Sequence, residues 1–329
     1  MFVFGRPDVQ ELLHAHFVTV AADDWYQRRR DDPVGRFFRS VADQGPRKGE
    51  GGGTRQGRYV FTASGKLLGY NNNRDPERIL KMLRESLVRW KALPAAERTP
   101  GAVKIPALGA GDLDAKFVRT PPPGGLVVAV RTRPVTRRPG GEFAACEAPG
   151  DAARRFANPG FAPASDHLWI TARETAALAA TTRAGPLDPA LAHRLLRFHL
   201  VDNTRGEPPH WDRPEIKALD LAVHPPTRES PGRLVLRGSF RAASADGTRG
   251  IDGNLLGTIS FDPATKACRR FEVVALADHW GEGRYTPGAR PGRTPLVVAF
   301  SLADPQDPDY VVPPQGIRWE QGYYQADRH

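Results

Sequence analysis

The chain has 329 residues, of which 40% are hydrophobic, with 31 prolines, 33 glycines and a net charge of +10. This composition excludes a fibrous or disordered chain, and the length predicts two globular domains. The basic clusters lie beside aspartates or in turns, as in Arg28 to Arg30 before Asp31, so the charge indicates a solvated surface and nucleic-acid binding is not expected.

The first elements are a helix and a strand. Residues 8–16 predict a helix, because Val9, Leu12 and Leu13 recur on one face. Residues 17–21 follow directly, and their β-branched content predicts a short buried strand that ends before Asp23. A helix around Phe37 and a glycine-rich loop over residues 45–57 come next.

A hairpin and a helix follow. Residues 57–70 alternate as two strands joined at Ser64 and Gly65, where glycine supplies the positive φ of the turn. Asp75 is a natural N-cap, and Pro76 suits the first helical position. The helix should pack one apolar stripe on the hairpin. The residues of this stripe are Ile79, Met82, Leu83, Leu87 and Trp90.

Helix then strand, followed by hairpin then helix, resembles the thioredoxin-like superfamily over about residues 8–92. The resemblance implies an α/β domain over residues 1–93. Two features of that family are missing. There is no Cys-x-x-Cys, the dithiol that performs redox chemistry in such domains, and the family's cis-proline has no counterpart among Thr54, Arg55, Gln56 and Gly57. A non-redox protein is therefore expected.

The same resemblance implies a peptide-binding groove, which here would be lined by residues 51–57, including Thr54, Arg55, Gln56 and Gly57. The chain begins too late to contain the family's first strand and dithiol segment. Either the domain is truncated, or the true start lies upstream. In the second case an upstream Cys-x-x-Cys would make the protein a thiol-disulfide reductase of an oxidising, extracytoplasmic compartment.

Residues 94–125 are rich in proline and glycine and are predicted to be a linker. Residues 126–329 predict an α+β domain, beginning with a strand at 126–131. A capping box of Thr171 and Glu174 starts one helix, and Asp188 with Pro189 starts another. The runs 216–223, 234–242, 251–261, 270–276 and 296–302 then predict an antiparallel, mostly meander-type sheet, curved or half-barrel, with the helices on one face.

Two short segments of this domain combine imidazoles with carboxylates. His210 and Asp212 form one, and Asp278, His279 and Glu282 form the other. If both open onto one edge of the sheet, these groups would suit Zn²⁺ or a general acid and base. The alternative is structural, because a loop histidine bonded to a neighbouring carboxylate is a common arrangement.

Three functions remain open at this stage. The leading one is a non-redox binding protein for a protein or small-molecule ligand. The second is an enzyme of the hydrolase type, with His279 as base, Asp278 orienting it, and His210 and Glu282 as further acid or metal ligands. The third is the reductase with an upstream dithiol. Cys146 and Cys268 are too far apart in sequence to form a local metal or redox motif.

The sequence also gives an expectation for the cellular compartment. No run of about 18 apolar residues is present to span a bilayer, and the first residues, from Met1 to Pro7, have no basic region followed by a long apolar run. As written, the chain is expected to be soluble and cytoplasmic.

Overall fold

A computed structural model describes residues 4, 6–49, 53–73, 75–99, 101–104, 106–146 and 163–327. The chain forms two compact units, an N-terminal one up to Arg119 and a C-terminal one from Thr120. The division falls inside the segment predicted to be a linker, but part of that segment is built into the N-terminal unit. The Asp114 carboxylate accepts from the Asp31 amide at 2.9 Å, and the Phe117 ring contacts Trp25.

The N-terminal unit is mainly helical. Its elements are α1 Pro7–His16, α2 Asp24–Gln27, α3 Pro33–Ala42, β1 Arg58–Phe61, β2 Leu67–Asn71, α4 Pro76–Lys91 and α5 Ala95–Arg98. The strands β1 and β2 pair antiparallel, and Gly65 in their connection has φ +85° as predicted. The helix α4 is also confirmed, since the Asp75 carboxylate accepts from the Glu77 amide and Pro76 occupies the first turn.

The core of this unit forms where α4 meets α1. Ile79, Leu80 and Leu83 of α4 pack with Val9 of α1, and Val60 of β1 lies against them. Ser86 is buried on the same helix and donates to the Met82 carbonyl at 2.7 Å, so its hydroxyl does not remain unsatisfied. The predicted apolar stripe is therefore confirmed for Ile79, Met82 and Leu83, whereas Leu87 is half-buried and Trp90 is exposed.

The predicted buried strand at residues 17–21 is wrong. Val18 is 95% exposed and Val20 is 78% exposed, and no strand of the described residues pairs with this segment. A β-strand needs hydrogen-bonding partners, which local composition cannot supply. In the described part of this unit, the sheet is a two-stranded hairpin. A hairpin alone does not establish a thioredoxin-like fold, so the resemblance stays a prediction.

The C-terminal unit is an α+β domain, as predicted. Its strands are β3 Leu126–Arg137, β4 Phe143–Ala145, β5 Ala164–Ile170, β6 Gly185–Pro186, β7 Ile216–His224, β8 Arg233–Ala243, β9 Gly250–Phe261, β10 Cys268–Trp280 and β11 Thr294–Leu302. Its helices are α6 Ala172–Ala179, α7 Pro189–Arg194 and α8 Glu320–Tyr324. Short 3-10 turns lie at Arg213–Glu215, Pro308–Val311 and Gln315–Arg318.

The nine strands form one antiparallel sheet. The strands β7 to β11 run as a meander, and β11 returns to pair with β3. The other edge of β3 pairs with β5 over Leu126 to Thr132 and with β4 over Val135 to Arg137. The five predicted runs and the strand from Leu126 are confirmed. The strands β4, β5 and β6 were not predicted.

Alternate residues of the strands face a single core that α6 and α7 cover. In β10, Phe271, Val273, Ala275 and Ala277 are buried in this core, together with Leu191 of α7. The period of two that predicted the strands therefore also decides which side chains enter the interior.

A second apolar cluster lies on the opposite face of β3 and β5. Val127 and Trp169, which are cross-strand partners, are covered there by Ile317, Tyr323 and Ala326 of the C-terminal tail, residues 303–326. Tyr323 of this tail is fully buried.

Arg194 at the end of α7 connects the tail to the rest of the unit. Its guanidinium forms a bidentate pair with Glu174 of α6, with both N–O distances 2.8 Å. The remaining donors reach the carbonyl oxygens of Trp169, Tyr323 and Tyr324. Both charged side chains are buried, and Arg194 helps to lower the pKa of the Glu174 carboxyl although burial opposes this.

We expect Arg194→Met to destabilise the C-terminal unit by about 3–5 kcal/mol, because the Glu174 carboxylate would remain buried without its partner. The measurement is the free energy of unfolding from urea titration. The control is Arg270→Met, which removes an exposed pair with Glu272 and should change stability by about 0–1 kcal/mol. Equal losses in the two variants would contradict the importance of the buried pair.

Candidate functional site

The helix that begins at Pro189 changes its pitch before it ends. Residues Leu195–His199 form a π-helix, and the Leu200 amide donates to the Leu195 carbonyl at 2.9 Å. Such wide turns occur frequently at functional sites, because they redirect side chains that a regular helix would place elsewhere. Here the π-helix carries Phe198 and His199, which face two adjoining features of the unit.

The first feature is a pocket of about 210 Å³. Three rings line it: Phe198 from the π-helix, His210 from the following loop, and Trp319 from the tail. The ring centres of Phe198 and His210 are 5.3 Å apart, and those of His210 and Trp319 are 6.4 Å apart. Gly316 lets the tail approach closely, since a Cβ there would lie 2.6 Å from the Phe198 ring.

Polar groups lie among these rings. Glu207 and Arg318 both line the pocket, and the Arg318 guanidinium donates to the Glu207 carboxylate. His210 Nε2 lies 3.5 Å from an Asp212 carboxylate oxygen. The His210 side chain is 44% exposed, and the covered part of its ring, with a contribution from the charge of Arg197, lowers its pKa. Its imidazole is therefore largely neutral at pH 7 and offers one donor and one acceptor.

The second feature is a buried row of polar groups that hold the tail. His199 Nε2 and the Tyr323 hydroxyl are 2.9 Å apart, and the Trp169 amide donates to the same hydroxyl at 3.2 Å. His199 Nδ1 faces an Asp166 carboxylate oxygen at 3.3 Å. Burial raises the pKa of Tyr323 well above its usual value. Because His199 and Tyr323 are both buried, this row positions the tail and does not meet a ligand directly.

Asp166 connects this row to the pocket. Its second carboxylate oxygen accepts from the Gln315 amide at 3.1 Å, and Gln315 is one of the residues that line the pocket. Asp166, His199 and Tyr323 were not predicted to form a group. The contact between His199 and Tyr323 spans 124 residues, and no local spacing signals it.

His279 lies away from the pocket lining. It is buried on the core face of β10, with Nδ1 3.9 Å from an Asp202 carboxylate oxygen. Asp202 also accepts hydrogen bonds from the Thr204 hydroxyl and from the Arg205 guanidinium. These two bonds and the nearby His279 lower the pKa of the Asp202 carboxyl, although its burial acts in the opposite direction. Burial lowers the pKa of His279 to about 4, so the imidazole is neutral at pH 7.

The structure does not bring the other predicted site residues to the pocket lining. Asp278 precedes His279 on a strand, so the two side chains lie on opposite faces, and the carboxylate beside His279 is that of Asp202. Glu282 accepts from the amides of Gly288 and Ala289, which closes its own loop and lowers its pKa. Of the predicted groups, His210 lines the pocket with Asp212 beside it.

The predicted zinc site remains untested. In the described ranges, no three His, Cys, Asp or Glu side chains are grouped as metal ligands would be. Cys146 and Cys268 are both free thiols, and Cys268 is the first residue of β10. Burial raises the pKa of Cys268, which makes its thiolate scarce at neutral pH.

The predicted peptide groove is described only in part, because Gly51 and Gly52 lie outside the described residues. Arg55 is buried, and its guanidinium donates to the Asp43 carboxylate at 3.0 Å and to the Gly49 carbonyl at 2.8 Å. Arg55 therefore holds its own loop through Nε and Nη2, while its buried Nη1 has no hydrogen-bond partner among the described residues.

The other three groove residues also contact their own unit. The Thr54 hydroxyl donates to Asp24 at 3.1 Å, and the Gln56 carbonyl accepts from the Tyr70 hydroxyl at 3.0 Å. Gly57 allows the Tyr70 ring to approach, since a Cβ there would lie 2.2 Å from it. Thr54 and Gln56 are exposed, so binding of a peptide at this loop remains a prediction.

No protein-family model, curated protein sequence or solved structure matches the chain. Among the described helices, none combines the length and apolar character needed to cross a membrane. The pocket and its neighbouring charges are therefore the basis for a functional proposal.

We expect stability to fall in acid because of His279. Its folded pKa of about 4 lies below the ordinary 6.5, so its contribution is present above pH 6.5 and is lost as the pH falls towards 4. The difference corresponds to about 3 kcal/mol. Unfolding free energies measured from pH 7.5 to 4 should therefore decline less steeply in His279→Gln than in the native chain.

The matched control for this experiment is His224→Gln, a half-buried histidine on β7 of the same sheet. Burial also lowers the pKa values of His167, His193 and His210, so a smaller acid-dependent decline should persist in His279→Gln. If the unfolding free energy of His279→Gln declines with falling pH as steeply as that of the native chain, His279 is not buried in its neutral form.

Proposed function

We propose that the C-terminal unit is a binding module that takes a small molecule with a planar ring into the pocket lined by Phe198, His210 and Trp319. The observation that carries this proposal is the arrangement of three rings from three separate segments around one cavity. Stacked and edge-to-face aromatic contacts each contribute about 0.5–1.5 kcal/mol beyond the burial of apolar area.

The size of the cavity supports a small ligand. Pockets for drug-sized molecules usually measure about 300–1,000 Å³, and this one measures about 210 Å³. It suits one ring with a short substituent. A larger depression of about 550 Å³ crosses β7, β8 and β9, but it is open and lined largely by exposed polar side chains such as Asp220, Arg237 and Asn254, so it offers less apolar enclosure.

His210 supplies the polar selectivity in this proposal. Its neutral imidazole stands between two apolar rings and can exchange one hydrogen bond with a substituent of the ligand. A polar group between apolar rings fixes the orientation of a ligand, because a wrongly placed substituent leaves the imidazole unpaired.

An enzyme is the second candidate, favoured by the 3.5 Å approach of His210 Nε2 to Asp212. A neutral imidazole oriented by a carboxylate has the arrangement of a general base. In this candidate His210 would activate water against a ring-bearing ester in the same pocket. His279 and Glu282, the other residues predicted for catalysis, have structural contacts of their own.

The test is titration of the full chain with benzamide, a neutral planar probe, followed by ¹H–¹⁵N chemical-shift mapping. We expect shifts at residues 198–210 and 315–319. Trp319→Ala should weaken binding at least about 10-fold, which corresponds to about 1.4 kcal/mol. The control is Trp90→Ala in the N-terminal unit, since Trp90 and Trp319 are 37% and 46% exposed.

Unchanged binding in Trp319→Ala, or shifts confined to other parts of the chain, would exclude the pocket as the ring-binding site. Binding of a tryptophan-containing peptide in place of free ring compounds would identify the ligand as a protein segment. Hydrolysis of phenyl acetate that is lost in His210→Gln would favour the enzyme.

A further inference from the structure

The rim of the pocket holds an ion pair whose position suggests the ligand class. Glu207 and Arg318 line the same cavity as the three rings, and they come from segments 111 residues apart. We infer that the pocket accepts an aromatic carboxylate, with Arg318 binding the ligand carboxylate in the place that Glu207 now occupies. This inference rests on the proposed function, because it assigns the chemistry of the same pocket.

The Glu207 pair is of a kind that a ligand can displace. The side chains of Arg318 and Glu207 are 26% and 49% exposed, and pairs that reach solvent in this way contribute little to stability. Glu207 can return to water without leaving a buried charge behind. The pair with Glu174 in the interior differs in this respect, since neither of its members can reach solvent.

The charge behind the ring walls favours an anion. The Arg197 guanidinium lies 5.3 Å from the Phe198 ring centre and 5.9 Å from that of Trp319, and the side chain is buried. Its hydrogen bonds go to the carbonyl oxygens of Trp211 and Ala326, so among the described residues no carboxylate is hydrogen-bonded to it. The pocket therefore lies next to a buried cation whose described hydrogen bonds go to carbonyl oxygens, with the Asp212 carboxylate acting on it only through space.

The same arrangement disfavours a cationic ligand. Arg197 already contacts both aromatic rings as a cation–π partner, and a second cation in the pocket beside these rings would meet its repulsion. An anionic substituent is attracted by Arg197 and by Arg318 together. With Glu207 displaced, the two cations favour an anionic over a neutral ring compound, although Asp212 beside His210 reduces this preference.

The shape of an aromatic carboxylate also fits these positions. Its carboxylate is nearly coplanar with its ring, so one flat molecule can place the ring against Phe198 and Trp319 and the carboxylate at the rim. A guanidinium binds a carboxylate through two parallel hydrogen bonds, which gives direction as well as charge. The Glu207 carboxylate shows that Arg318 can receive this group at the pocket rim.

The test uses the full chain and three probes of similar size: benzoate, benzamide and benzylamine. We expect benzoate to bind at least about 5-fold more tightly than benzamide, and benzylamine to bind most weakly. Glu207→Gln should strengthen benzoate binding several-fold relative to benzamide binding, because it removes the competing carboxylate. Arg318→Gln should abolish the preference for benzoate.

The matched control is Glu272→Gln, which removes the same charge from the exposed pair with Arg270 and should leave all three affinities unchanged. A thermal melt establishes that each variant is folded, and Glu207→Gln alone decides the matter if Arg318→Gln unfolds. Equal affinities for benzoate and benzamide, with no gain in Glu207→Gln, would overturn the anion assignment while ring binding stands. Binding of none of the probes would overturn both.

Discussion

The C-terminal unit depends on the way in which Arg194 uses its five donors. Two bonds go to Glu174, which also caps the start of α6 by accepting from the Thr171 amide. The other three go to carbonyl oxygens of β5 and the tail, at Trp169, Tyr323 and Tyr324. Because leaving a buried guanidinium without its carboxylate is strongly destabilising, α6, β5 and the tail are held together by Arg194.

The pocket exists because the tail is held in this way. Trp319, Gly316 and Arg318 all come from the tail, and they face Phe198 of the π-helix and His210 of the next loop. Arg197 and His199 extend the same attachment, through bonds to Ala326 and Tyr323. Along the π-helix, Arg197 and His199 hold the tail, and Phe198 between them lines the pocket. The buried cation of Arg197 therefore lies close to the cavity.

The sequence predicted those parts of the fold whose determinants are local. The alternation of apolar and polar residues predicted β7 to β11, and the caps at Asp75, Thr171 and Asp188 predicted the starts of three helices. Both signals depend only on neighbouring residues. The segment at 17–21 was misjudged, since a strand depends on a partner elsewhere. The pocket could not be predicted, because its walls meet through packing of distant segments. Adjacency in sequence also misled the interpretation of Asp278 and His279, which a strand places on opposite faces.

The most direct measurement of the central claim is native-state hydrogen exchange of the tail in the native chain and in Arg194→Met. If Arg194 holds the tail, amides of residues 315–326 will exchange much faster in the variant, while those of β8, β9 and β10 retain their relative protection. Unchanged protection of residues 315–326 in a folded Arg194→Met protein would show that the tail, and with it the pocket, is held by other contacts.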